Sequence, residues 1–560
     1  MSVYPRVSLQ RGENVQEMRH GPNKSESKHG AGGRLQDAEN AAGGAAPKGL
    51  KALGAVAAKK ARAAAKPTAT QEPGFFGRMF ANLPPFSAPD AKLMQLANAM
   101  RDANPADPAQ DNPAIAAGFT YLGQFIDHDI TLDLSPLSET QVDPLMLRNF
   151  RTPGLDLDSL YGSGPGPHRF LFAREPAGPR FRDMPKFRLG HTEDSPDQNG
   201  VNIPAANKDN DLPRTTHGVA IIADHRNDEN LLVAQTHVAF LKFHNKVVDR
   251  LKAAGVPDDE LFQRASVEVR RHYQWIVLHE FCALLTGADT IRDILRNGRK
   301  FYRFRKKPFM PLEFSVAAFR LGHSLVRERY SHNRVFPAGP GGLAVGSLEL
   351  LFNFSGLSGT IAGEIASGGL SRAVLPTNWI IDWRRFYDFG TPTIPLNATR
   401  RLDPFLTPAL HALPGEAGPA ASLPFRNLRR GVLLKLPSGQ AVATAMKSKI
   451  PFVPLTAAEI ASGPDGAVAQ SLGFHLKTPL WYYILKEAQV RKNGVQLGPV
   501  GARIVAEVFI GLLQGDEDSF INQPRWKPSL PSKRPGTFTM TDLLRFVGEI
   551  SPIDGIGSLP

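Results

Sequence analysis

The chain has 560 residues, 42% hydrophobic and 21% charged, with a net charge of +13, 51 glycines, 47 prolines and one cysteine. That length allows a large core, a lone Cys282 excludes an intrachain disulfide framework, and no apolar run nears the roughly 18 residues that span a bilayer. The N-terminus, MSVYPRVSLQRGENVQ, lacks the apolar core of a secretory signal, so a cytoplasmic location or a signal-free export route is expected.

Residues 1–72 are polar, then rich in Ala, Gly and Lys, with too few large apolar groups to offset the entropy of ordering; they read as a disordered arm. Within the arm, Lys48 to Lys66 holds six basic residues and no acid. That suits a solvated tail, or weak contact with a polyanion or an anionic membrane. Residues 73–560 begin with the aromatic EPGFFGRMFANLPPF and contain neither a long linker nor a repeat, so one large folded domain is expected.

The stretch GFTYLGQFIDHDITLD, Gly118 to Asp133, carries an apolar run into Asp127-His128-Asp129. Gln124 and His128 are four apart and share a face if the run is helical. An imidazole with an amide beside it can move a proton and position a small polar molecule. Asp129, about 100° further round, would point elsewhere, toward a cation. A capped helix end with its charges in water fits the spacing equally well, and a non-haem metal hydrolase using Asp127, His128 and Asp129 is a distant alternative.

TPGLDLDSLYGS follows, with Thr152, Gly154, Asp156 and Asp158 at every second position. Oxygen ligands so spaced suit a hard cation such as Ca²⁺, although an ordinary acidic turn has the same look; with Asp129 the set becomes a plausible cage. GSGPGP (Gly162 to Pro167) lacks a P-loop lysine and reads as a proline-rich turn. In GVAIIADHRNDENL, Arg226 beside His225 could stabilise negative charge growing on an oxygen, with Glu229 three residues on; a charged helix cap is the plainer reading.

Helical spacing then predicts helices over 230–251, capped by Asn227 or Asp228, over 261–287 ending at Gly287, over 314–330, and over 498–515 with Pro499 near its start. HEFCA (His279 to Ala283) lacks the second histidine of a zinc-protease helix. His323 sits in an apolar-faced helix, where a core histidine is the usual occupant; Gly322 before it would admit a flat group. Strand signals are few and short, so the class is mainly α.

Together, in this order, GQFIDHD, TPGLDLDS, ADHRNDEN and FRLGHSL resemble the animal-type haem peroxidase family (the peroxidase–cyclooxygenase superfamily), over most of the chain from about residue 73. The resemblance implies a large single helical domain holding haem b and Ca²⁺. His128 would be the distal base, Gln124 would order water or halide, and Arg226 would be the catalytic arginine. Asp127 and Glu229 would form esters to the haem. His323 would ligate the iron, with Asn427 of RNLRRG accepting its second ring proton, and Arg320 and Arg430 would pair with propionates. Asp129, Thr152, the Gly154 carbonyl, Asp156 and Asp158 would bind calcium; the family commonly has serine where Asp158 stands.

The implied activity is reduction of hydrogen peroxide through a ferryl intermediate, with oxidation of phenols, iodide, bromide or thiocyanate and a part in the response to oxidative stress. Asn230 stands where the chloride-oxidising member has its sulfonium-forming methionine, which excludes that bond. Arg320 stands where the fatty-acid oxygenase branch has its radical-forming tyrosine, three residues before the proximal histidine. Fatty-acid dioxygenation on the same scaffold, or a peroxidase-fold adhesion or matrix protein using the basic arm, are the alternatives.

Overall fold

The computed structural model describes residues 74, 76–132, 147–173, 185–196, 202–203, 208–337, 346–353, 355, 374–414 and 416–556. The predicted basic arm, 1–72, lies outside them, as does Asp133. The described chain is mainly helical, as expected. The helices that frame the site are α1 (Asp90–Ala99), α2 (Gly118–Ile130), α3 (Leu231–Ala253), α4 (Leu261–Ile276), α5 (Ala288–Asn297), α6 (Leu423–Leu433), α7 (Leu480–Lys492) and α8 (Pro499–Gly515). Strands are short and paired in twos. Asp111–Ala116 lies antiparallel to Ala398–Arg400, in register Asp111 to Arg400, and Phe76–Gly77 runs parallel to Met310–Pro311.

Every residue of α2 is buried. Its apolar side packs by aromatic contact: Phe125 stacks on Phe240 of α3 with centroids 4.8 Å apart, and meets Tyr273 of α4 edge-on. The helix must start at a glycine. The Gly118 amide donates to the Phe386 carbonyl at 2.9 Å and Tyr387 Oη donates to the Gly118 carbonyl at 3.0 Å. A Cβ at this position would stand 2.5 Å from both the Phe386 oxygen and the Tyr387 ring. Gly118→Ala is therefore expected to destabilise the protein by about 1–3 kcal/mol, because overpacking outweighs the helix propensity gained. A urea midpoint equal to that of the parent would show that this corner yields instead.

Two predicted helices differ from expectation. The cap of α3 is Asn230, whose Oδ1 accepts the Val233 amide at 3.0 Å, not Asn227 or Asp228. Those two belong to a separate 3₁₀ turn, His225–Asp228, capped by Asp224. The expected helix over 314–330 is a wide π turn, Glu313–Ala317, followed by a 3₁₀ turn, Ala318–His323; the chain then reaches a strand at Arg329–Tyr330. Tertiary partners draw its polar groups out of any regular ladder. Arg320 Nε donates to the Ser315 carbonyl, Trp481 Nε1 to the Arg320 carbonyl, and Ser324 Oγ to the carbonyls of Arg401 and Asp403. Phe314 and Phe319 fill the inner side against Phe509 of α8. At the head of the π turn the buried Glu313 carboxylate accepts the amides of Met79 and Phe80, at 3.0 and 3.1 Å.

The other two long helices match their pattern. The α4 helix continues through a π turn, Val277–Cys282, and a last turn, Ala283–Thr286, to Gly287 at φ +79°. Pro499 opens α8. GSGPGP is a turn, with Gly162 and Gly164 at positive φ.

Candidate functional site

The Asp127-His128-Asp129 triplet ends α2 in the core, with relative exposures of 4%, 0% and 0%. The reading as charges in water is thereby corrected: the preceding apolar turns carry the triplet inward. Around the helix the three side chains part company, as their 100° spacing requires.

His128 meets the 3₁₀ turn of the ADHRNDEN segment. Its Nδ1 lies 2.8 Å from Asn227 Oδ1, and Asn227 Nδ2 lies 2.9 Å from His237 Nδ1 on α3. An amide oxygen only accepts, so His128 carries its neutral-state proton on Nδ1 and keeps the lone pair on Nε2. Burial holds His128 well below the usual histidine range, and the nearby Arg226 adds to the effect. The imidazole is therefore a base at neutral pH.

Arg226 is 2% exposed. Its Nη2 donates to Asp224 Oδ2 at 2.6 Å and to the His128 carbonyl at 2.8 Å, and its Nε to Asp224 Oδ1 at 3.0 Å. Burial opposes a charge on Asp224, but the Arg226 guanidinium holds it well below the carboxylate range. On the same face of α2 as His128, Gln124 Nε2 donates to Glu229 Oε2 at 3.0 Å and Gln124 Oε1 accepts from Asn230 Nδ2 at 2.9 Å. Burial pushes Glu229 up to about 8. Asp127 Oδ1 accepts from Thr131 Oγ1 at 3.1 Å.

The second histidine is buried at the end of the 3₁₀ turn, with His323 Nδ1 2.7 Å from Asn427 Nδ2 on α6. Its Nε2 is buried and has no hydrogen-bond partner among the described residues. Burial, then the Arg320 charge, hold this ring well below the histidine range, so it is neutral. The amide nitrogen, not the expected oxygen, faces the ring here. Ligation of a metal at Nε2 places the ring proton on Nδ1, and a half-turn of the Asn427 amide then presents Oδ1 to accept it. Arg430 is buried on the same face of α6, three residues on. The charge of Arg426 lowers both Glu229 and His323 slightly, after larger contributions from burial and other groups.

The third component is acidic. Asp129, Asp156 and Asp158 each present a carboxylate oxygen, all within 4.8 Å of one another. Asp129 Oδ2 accepts from the Leu157 amide at 3.2 Å and from Tyr273 Oη at 3.1 Å. Asp158 Oδ2 accepts from the Thr152 amide at 3.1 Å, and the Gly154 amide donates to the Thr152 carbonyl at 2.8 Å. Leu157 at φ +59° lets the loop wrap. Burial and then the Asp158 charge push Asp156 up to about 7; burial and both neighbours raise Asp129 well above its usual range. Arg151 ties this loop to the arginine turn, lying 3.4 Å from Asp158 Oδ1 and donating through Nε to Asp224 Oδ2 at 3.0 Å.

Sequence reading missed Asp224, Asn227, His237 and Arg151. Asn227 lies one residue past Arg226, but its partners are 99 residues back and 10 residues ahead.

Residues 139–338 match the model of the animal haem peroxidase family. Among curated proteins the chain is similar to a peroxidase-like protein of Margaritifera margaritifera, 33% identical over 140 residues (24% of this chain, 17% of that protein). It is also similar to heme peroxidase 2 of Caenorhabditis elegans, 31% identical over 111 residues (19% and 16%). The matches thus span about a sixth of those relatives. In fold it resembles peroxidase A from Dictyostelium discoideum, with a TM-score of 0.55 at 15% identity, covering 88% of this chain and 95% of that one. Fatty acid alpha-dioxygenase from Oryza sativa gives 0.51 at 14% identity, covering 80% and 76%. The family match includes the acidic loop, Arg226 and His323 but begins after His128 and stops before Asn427.

Proposed function

We propose, from the premise that the chain belongs to the animal haem peroxidase family, that it is an oxidoreductase which reduces hydrogen peroxide at a bound haem b and oxidises small donors such as phenols, iodide, bromide or thiocyanate. The observation that carries this is His323: a neutral, buried imidazole whose outer nitrogen is held by Asn427 while Nε2 meets no partner among the described residues. Such a nitrogen costs free energy unless a ligand takes its lone pair.

Bound haem would supply the iron at which peroxide is reduced and the oxidising equivalents passed to the donor. His323 would ligate it, and Arg320 and Arg430 would meet its propionates. Asp127 and Glu229 are the carboxyls available for ester links. His128 Nε2 would take a proton from one peroxide oxygen and return it to the other, which leaves as water. Arg226 would stabilise charge as the O–O bond breaks, and its grip on the His128 carbonyl also fixes the base. Gln124 would order water or halide, aimed by Glu229 and Asn230. With Asn230 so employed, and no methionine in its place, bromide, iodide and thiocyanate are preferred to chloride. Arg320 in place of a tyrosine disfavours fatty-acid oxygenation. An absorption spectrum of the haem-loaded protein tests the reading: a Soret band that shifts on adding peroxide supports it, and its absence overturns it.

Asp129, Asp156 and Asp158, with Thr152 and the Gly154 carbonyl, would hold Ca²⁺. A raised carboxyl pKa in the fold means the folded state keeps a proton that the unfolded state releases. Without a cation, stability should therefore fall as pH rises from about 4 through about 7, the folded value of Asp156. Added Ca²⁺ should raise the melting temperature more at pH 8 than at pH 6. An equal calcium effect at both values would remove these carboxylates as its ligands.

A further inference from the structure

Between Ile294 and Leu312 the chain has seven basic residues and no acid: Arg296, Arg299, Lys300, Arg303, Arg305, Lys306 and Lys307. The segment leaves α5 and is fastened to the outside of α8. Glu507 on α8 accepts the amides of Lys300, Phe301 and Tyr302 at 2.7, 2.7 and 2.8 Å. Tyr302 seats on Gly511 and Pro308 on Gly515, where a Cβ would come within 2.4 and 2.7 Å of them. Arg299 is turned inward, donating to the Tyr302 carbonyl at 2.6 Å and lying 4.5 Å over the Phe304 ring. A second strand of chain joins it: Lys300 Nζ donates to the Lys449 carbonyl at 3.1 Å, and Lys449 Nζ lies 5.5 Å over Phe301.

So the backbone is pinned while the charges face water. Arg296, Arg303, Arg305, Lys306, Lys307, Lys447 and Lys449 are all exposed. None of them forms an ion pair with another described residue, and Asp516 to Asp518 just beyond Gly515 make none with this segment. The nearest buried acids are already engaged, Glu507 with Arg503 and the three amides. Two large apolar side chains stand among these cations in sequence: Leu295, 42% exposed, and Val453, 69% exposed, four residues past Lys449. The aromatic rings of the segment are not free to stack on nucleic-acid bases, since Phe301, Tyr302 and Phe309 are buried and Phe304 is covered by Arg299.

We propose that the basic segment from Leu295 to Lys307, which covers α8, docks with Lys447 and Lys449 on an anionic membrane surface, with the cations reaching lipid headgroups and Leu295 and Val453 entering the interface. A pinned basic segment with exposed apolar side chains next to it in sequence matches a charged leaflet better than it matches a stacked or grooved polymer. The surface rests on none of the haem residues.

Sedimentation of the full chain with sucrose-loaded vesicles tests this. Partition onto vesicles of 30 mol% phosphatidylserine in phosphatidylcholine should exceed that onto pure phosphatidylcholine, and should fall steeply with salt. Each cation near such a surface contributes roughly fivefold, so R303E/R305E/K306E/K307E should lower partition at least about 100-fold. L295S/V453S should lower it severalfold at the same charge. All six positions are exposed, and an unchanged circular dichroism spectrum and melting temperature confirm the fold. Equal partition of the parent and the fourfold variant overturns the proposal. So does a parent that binds heparin or duplex DNA through these four residues but does not sediment with the vesicles.

Discussion

His323→Ala is expected to lose haem. The ring nitrogen Nε2 is buried with no hydrogen-bond partner among the described residues, and its twin Nδ1 lies 2.7 Å from the Asn427 amide. Removing a second-sphere partner of a metal-bound histidine commonly lowers affinity by about 10–100-fold, and removing the ligand itself should exceed that. Asn427→Leu should therefore weaken haem retention by about 10–100-fold, and His323→Ala by more. Titration of the refolded apoprotein with haem, followed by the Soret band, measures both. Imidazole added to the alanine variant should restore part of the band, because the vacated space can take a free ligand. Retention of haem at parental affinity in His323→Ala would remove this residue from the iron.

His128→Ala should bind haem and still fail to use peroxide. The base contributes through proton transfer, worth about 10²–10⁴ in rate. Stopped-flow mixing of haem-loaded protein with peroxide should thus show a bimolecular rate lowered by that factor, with little change in the resting spectrum. Asn227→Ala should act through the same ring. Without its acceptor the imidazole can carry the proton on Nε2, so the rate should drop although no group that touches peroxide has changed. The pH profile carries a further sign. Burial and Arg226 hold the His128 ring well below 6.5, so the lone pair survives into mildly acidic solution. The parent rate should stay flat on going down through pH 6.5 and fall only further into acid. A break at the ordinary histidine value would show that the ring is solvated in the working protein.

The parts of this arrangement visible in the sequence are those that a single helix carries. The period of α2 places Gln124 and His128 on one face and sends Asp129 elsewhere, and the structure repeats that division. The spacing of Asp156 and Asp158 foreshadows their convergence on Asp129, although burial of the cluster does not follow from an alternation that an exposed turn could share. What could not be read depends on contacts between distant segments. Asn227 looked like a helix cap because asparagine before an apolar run often is one; its amide is instead consumed by two histidines. The turn before His323 has a clear helical period, yet its carbonyls are claimed by side chains, that of Ser315 by Arg320 and that of Arg320 by Trp481, and a ladder that loses its acceptors widens or tightens. Arg151 resembles any loop arginine until the fold sets Asp158 and Asp224 on either side of it.

Glu313 has a practical bearing on how short the working chain can be made. Its carboxylate is closed off by two amides from Met79 and Phe80, and ten residues later the same backbone delivers His323. Trimming from the N-terminus as far as Gly74 leaves that clasp whole. Trimming past Phe80 strips both donors from an acid sealed in the interior, and the loosened segment is the one that carries His323, the proposed iron ligand. A shortened form made for crystallisation or sensing should keep the clasp, since a cut six residues longer trades tidy ends for a His323 segment with one anchor undone.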